Sequence, residues 1–169
     1  MDSGFFLCDR NEMQTLRIPL AARNGRQSEM ALAVARGTRR LLRRLNYSTI
    51  TELPLLSGRR ADIVALGADA TMIIVEIKSS AADFRSDTKW QEYRAHCDRF
   101  YFAIPDSVPV EIMPQDAGLI LADAYAADIL RQAPEHRMAP ATRRAGLMRF
   151  AHAAAQRLYR LSDPGGAGA

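Results

Sequence analysis

From residue 27 the apolar and polar positions settle into a helical period. Between 27 and 45, Met30, Val34, Leu41, Leu42 and Leu45 fall on one side of a 3.6-residue wheel, and Arg36, Arg39, Arg40, Arg43 and Arg44 on the other. The period then shortens. Residues 49–56 read as a strand in which Pro54, lacking an amide donor, implies a sheet edge or an irregular end. Ser57-Gly58 marks a turn, 60–66 a second strand, Gly67-Ala68-Asp69 a second turn, and 71–78 a third strand rich in β-branched residues. Two tight turns joining three strands predict an antiparallel meander.

Residues 80–99 return to helical spacing through Phe84, Trp90, Tyr93 and Cys97, and 99–104 form a strand closed by Pro105. A strand–helix–strand crossover of this length predicts parallel pairing within the same sheet. Residues 117–122 predict a fifth strand and 123–131 a short helix. Pro134 and Pro140 punctuate the chain. Residues 142–161 predict an amphipathic helix with Leu147, Ala151, Ala155 and Leu158 on its apolar stripe and Arg149, Gln156, Arg157 and Arg160 opposite. The reading is a single α/β domain over 27–162: a mixed β-sheet flanked by helices, in the order αβββαβ, with a further strand and an extra C-terminal helix. Residues 1–26 read as a lead-in in which 16–20 form a strand or docking segment, and 163–169 as a disordered tail.

Composition narrows the class. A chain of 169 residues with 48% hydrophobic and 25% charged residues suits one globular core. No apolar run approaches the ~20 residues that span a bilayer, and residues 1–10 lack a basic stretch followed by an apolar one, so the expectation is a cytoplasmic protein without a membrane. Cys8 and Cys97 form no CxxC pair, and His96, His136 and His152 have no metal-ligand spacing. The net charge of +4 and pI of about 9.4 are compatible with a polyanionic partner. Of 23 basic residues, Lys78 and Lys89 alone are lysines. Lysine is a compact charge whose pKa responds to its surroundings, whereas arginine is planar and permanently charged.

The chemistry concentrates around Lys78. Strand alternation puts Glu76 and Lys78 on one face and Ile73, Val75 and Ile77 on the other. Asp62 begins the preceding strand, and in an antiparallel hairpin the start of one strand lies beside the end of the next. Two adjacent carboxylates suit a hard divalent cation, Mg²⁺ or Mn²⁺, with the backbone carbonyl of Ile77 as a third oxygen. A lysine one strand period away suits orienting water or neutralising a phosphoryl transition state. The competing reading is an ordinary salt bridge of Asp62 or Glu76 with Lys78 or Arg60.

Arg60-Ala61-Asp62, fourteen residues before Glu76-Ile77-Lys78-Ser79, resembles the PD-(D/E)xK nuclease superfamily, with Ala61 replacing the usual proline. Gly58 to Asp62, Val75 to Ser80, Asp83-Phe84-Arg85, Lys89-Trp90, Tyr93, Cys97-Asp98-Arg99, 101–105, 116–120 and 133–137 are similar to the MmcB family of bacterial DNA repair proteins. The resemblance implies a restriction-endonuclease-like core and a metal-dependent nuclease acting on DNA, branched or damaged DNA included. Asp62 and Glu76 are then the metal ligands and Lys78 the catalytic lysine. Arg59, Arg60, Ser79, Lys89, Tyr93 and the helical Arg36, Arg40 and Arg43 are candidate DNA contacts. A repair protein and a second copy of the chain are candidate partners. Glu29, the one acid of the first helix, falls on the arginine-rich side, and Gln91 and Tyr93 do not make the QxxxY of some exonuclease branches. The alternative is a DNA-binding or partner-recruiting module on the same fold that does not cut.

Overall fold

A computed structural model describes residues 28–164; the expected lead-in, with its segment 16–20 and Cys8, and residues 165–169 of the expected tail lie outside the described residues. Helix α1 (Glu29–Arg44) leads into β1 (Ser48–Pro54), β2 (Arg60–Leu66) and β3 (Met72–Ile77). Then come α2 (Ala81–Ser86), a 3-10 segment (Trp90–His96), β4 (Arg99–Ile104), β5 (Gly118–Ala122), β6 (Ala127–Arg131) and α3 (Pro140–Ser162). The six strands form one sheet in sequence order. β1, β2 and β3 pair antiparallel, β3, β4 and β5 parallel, and β5 and β6 antiparallel. The α/β class, the αβββαβ order, the meander and the parallel crossover match the sequence expectation. Pro54 ends β1, an edge strand, as its missing donor requires.

Every residue of β3 is buried, which makes it the centre of the sheet. Ile73, Val75 and Ile77 face α1, packing with Val34, Leu41 and Leu42. Met72 and Ile74 face the other way, among Phe100, Phe102, Trp90, Tyr93 and Phe150. Each such side chain contributes about 1.5–3 kcal/mol through burial. Helix α1 starts where Ser28 accepts a hydrogen bond from the Ala31 amide at 3.1 Å, with Glu29 in its first turn and Arg43 and Arg44 in its last, as the helix dipole favours. Its arginines are exposed as expected, but so are Met30 and Leu45 at its two ends.

Three elements depart from the sequence reading. The helix expected over 80–99 is interrupted: Asp87 is extended, and the chain resumes as a 3-10 segment. The helix expected over 123–131 is instead a turn and strand β6. The Asp123 carboxylate accepts the amides of Tyr125 and Ala126, both at 2.7 Å, and folds the chain into a hairpin with β5. In α3 the expected stripe is turned outward: Ala151, Ala155 and Leu158 are exposed and Leu147 is half-buried, while Phe150 is buried and Ala153 and Arg157 are half-buried. A tertiary clamp sets this rotation. The guanidinium of Arg143 donates to both oxygens of Asp98, at 2.8 and 2.6 Å, and to the carbonyl of Ala70 at 3.0 Å. Asp98 also accepts the amide of Met72, so α3 is tied to the start of β3.

Candidate active site

The paired register of β2 and β3 runs from Leu66 opposite Met72 to Ile63 opposite Val75. At the next position side chains take over from the backbone ladder. The amide of Asp62 donates to Glu76 Oε1 at 3.2 Å, and the amide of Ile77 donates to Asp62 Oδ2 at 2.8 Å. Each carboxylate is thus fixed by the other strand. A strand residue's N–H and C=O point to the same edge. The Ile77 amide points at Asp62, so its carbonyl lies on that edge as well, while the Lys78 amide turns to Ala103 of β4 at 2.9 Å.

Glu76 and Lys78 are 5% and 6% exposed, and Asp62 is half-buried. Lys78 does not pair with Asp62 or Glu76. Its Nζ donates to Asp87 Oδ2 at 2.6 Å, and Arg60 pairs with Glu52, so neither salt bridge weighed from the sequence forms. Asp87 reaches Lys78 because α2 stops there, and its other oxygen accepts the Lys89 amide at 3.2 Å. Helix α2 is itself held by a reciprocal cap: Ser80 Oγ accepts the Asp83 amide and Asp83 Oδ2 accepts the Ser79 amide, both at 3.0 Å.

The MmcB-like family, described as DNA repair protein MmcB-like, matches residues 19–165. The chain belongs to this family. A solved protein of unknown function from Silicibacter pomeroyi is 41% identical, with a TM-score of 0.80, over 84% of this chain and 97% of that one. A repair endonuclease from Pyrococcus abyssi is 15% identical with a TM-score of 0.39, over 62% of this chain and 50% of that one. No curated protein gives a significant match. Among the described residues no helix is long and apolar enough to cross a membrane.

The electrostatics of the MmcB-like site follow from its burial. Desolvation pushes the Glu76 carboxyl well above the usual carboxylate range, and the charge of Asp62 adds to this. Desolvation also raises Asp62, against the hydrogen bond from Ile77, with Glu52 and Asp83 adding to the rise and Lys78 opposing it. The pair is short of positive charge. Asp62 Oδ1 and Glu76 Oε2 have no hydrogen-bond partner among the described residues, which leaves one oxygen on each for a ligand. No third His, Cys, Asp or Glu among the described residues joins them in a metal-binding group. Such a donor set fits Mg²⁺ or Mn²⁺, which keep several waters, and does not fit a closed structural metal site.

The candidate DNA contacts divide into two groups. Near the site, Arg59 pairs with Glu92 at 2.6 Å and lies 5.6 Å from the centre of the Tyr93 ring. Tyr93 is buried among Phe100 and the core, and its hydroxyl donates to the Arg60 carbonyl at 3.2 Å. Burial raises its pKa, and the charge of Glu76 raises it further. Trp90 is likewise a core residue, whereas Lys89 is exposed. Ser79 is engaged in the cap of α2. Arg36, Arg40 and Arg43 form the second group. They are exposed on α1, which covers the opposite face, so the sheet stands between them and Glu76.

Sequence reasoning missed Asp87 and Glu52. Glu52 was within reach, because counting back through the Ser57-Gly58 turn sets it level with Asp62, between the pairs Thr51–Ile63 and Leu53–Ala61. Asp87 carried no comparable local signal, since a continuous helix leaves it no reason to turn back to Lys78.

Proposed function

We propose that this MmcB-like chain is a metal-dependent DNA nuclease of repair that hydrolyses phosphodiesters. Asp62, Glu76 and the carbonyl of Ile77 hold Mg²⁺ or Mn²⁺, and Lys78 is the catalytic lysine. The observation that carries the proposal is the interlocked carboxylate pair, which is raised in pKa by burial and has one oxygen free on each member, with a buried lysine one strand period away. When bound, the cation supplies Lewis acidity to the phosphate and acidity to a coordinated water. The protein's own part is positional. Asp87 holds the Lys78 ammonium in place, where it orients the attacking water and faces the negative charge that develops on phosphorus. Arg59, Arg60 and Lys89 flank the same end of the hairpin and meet neighbouring phosphates.

Cleavage of duplex, single-stranded and branched DNA with Mg²⁺ or Mn²⁺ tests this reading. Asp62→Asn, Glu76→Gln and Lys78→Met are each expected to lower the rate by about 10²-fold or more. Binding of Mn²⁺, followed by its paramagnetic signal without DNA, should weaken in the first two variants and persist in the third. Unchanged cleavage in Asp62→Asn and Lys78→Met would overturn the site.

A second reading is a DNA-binding or partner-recruiting module that does not cut. The Lys78–Asp87 pair favours it, because the ammonium already has a carboxylate at 2.6 Å. DNA binding by the wild type with no cleavage of any substrate would decide for the module.

A further inference from the structure

Arginines of the first and last helices meet at one edge of the sheet. Arg39 of α1 donates to Thr49 Oγ1 at 3.3 Å, and Arg157 of α3 donates to the carbonyl of Thr51. Helices α1 and α3 pack on opposite faces, so the two guanidinium groups reach edge strand β1 from either side. Their anchors are two residues apart, about 7 Å of strand. Arg160 joins them: burial, then the charges of Arg39 and Arg160, push the Arg157 guanidinium below the usual arginine range. Glu52 partly offsets these charges and also pairs with Arg60. Arg36 and Arg43 continue the basic surface along α1, exposed.

The strand connects this cluster to the candidate active site. One residue beyond Thr51 is Glu52, level with Asp62 in the β1–β2 register and acting electrostatically on it. The basic edge therefore starts beside the carboxylate pair and ends on the far face. Holding cations this close is unfavourable in the free protein, and a polyanion relieves it.

We propose that Arg39, Arg157 and Arg160, continued by Arg36 and Arg43, form a track around the β1 edge that binds the phosphodiester backbone of duplex DNA and leads it away from the Asp62–Glu76 end of the hairpin. The proposal rests on the reading of this chain as acting on DNA, but not on cleavage. Guanidinium–phosphate contacts carry no base information, so binding along the track is independent of sequence.

The test is fluorescence anisotropy of a labelled duplex in EDTA across a salt series. Arg39→Gln/Arg160→Gln is compared with the charge-matched Arg137→Gln/Arg144→Gln, which removes two exposed arginines elsewhere. Arg157 is left intact because it is partly buried, and thermal melting checks that both variants fold. Loss of two phosphate contacts should flatten the slope of log K against log salt by about 1.8 and weaken binding by about tenfold or more at moderate salt, with the control close to wild type. Equal loss in both variants would reduce the effect to net charge and overturn the track. Wild-type-like binding by Arg39→Gln/Arg160→Gln, or no binding by the wild type at low salt, would do the same. The readout needs no metal, so failure of cleavage and failure of the track remain separate results.

Discussion

Burial, with the charge of Asp62 added, favours the neutral form of the Glu76 carboxyl, and this gives stability a definite pH dependence. Its folded pKa lies above the unfolded value, so the folded protein binds more protons once unfolded carboxyls ionise. Unfolding free energy therefore falls as pH rises through the window between the two values. Glu76→Gln removes the part of this dependence that Glu76 carries and leaves the part due to Asp62, which burial also raises. Without metal, the variant should match wild type below the ordinary carboxylate range, gain on it as pH rises to about 8 and level off above, as read from denaturant midpoints across pH. Lys78 and Asp87 form the second testable unit, at 7% and 16% side-chain exposure. Asp87→Asn strands a buried ammonium and should cost about 3 kcal/mol, whereas Lys78→Met/Asp87→Leu, which removes both charges, should cost much less. A similar loss in both would mean that packing, not charge, holds this corner. Glu76, Lys78 and Asp62 were legible from strand alternation and hairpin counting. The partner of Lys78 was not, because Asp87 lies nine positions on, inside what reads as one continuous helix.

Among the elements, the β5–β6 hairpin and α1 depend on each other. A Cβ at Gly37 would sit 2.3 Å from the carbonyl oxygen of Asp123 and 2.4 Å from that of Ala126, so α1 approaches the turn with no room for a side chain. Gly37→Ala should destabilise by about 1–3 kcal/mol although alanine is the better helix former. Asp123→Ala should cost about 1–2 kcal/mol through two lost turn hydrogen bonds. Equilibrium unfolding measures both, and a stabilised Gly37→Ala would contradict the packing. The same turn explains why residues 123–131 were misread. Ala127, Asp128, Ile129, Leu130 and Arg131 fit a short helix or a strand equally by composition, and the Asp123 cap decides for the strand. In α3 the local pattern was genuine but incomplete, since Arg143 and Asp98 lock a rotation that hydrophobicity alone did not select.

For the molecule as a whole, metal and protons should compete for Asp62 and Glu76. On the proposed function Mg²⁺ or Mn²⁺ would bind the ionised pair, so the rise in Tm on adding metal should be larger at pH 8 than at pH 6 and much smaller in Asp62→Asn. An equal rise in that variant would place the ion elsewhere. The chain itself determined the parts whose information is local. Two tight turns and period-two alternation made the meander, set Asp62 beside Glu76, and put Glu76 and Lys78 on one face. The length of the crossover made β3 and β4 parallel. Tertiary structure alone decided what depends on packing between distant segments: the interruption at Asp87, the outward turn of the α3 stripe, and the placing of the α1 arginines behind the sheet from Glu76. The reason is physical. Turn chemistry and side-chain period act over a few residues, whereas the rotation of a helix or the partner of a buried charge is set by whichever distant groups satisfy it once the sheet has closed.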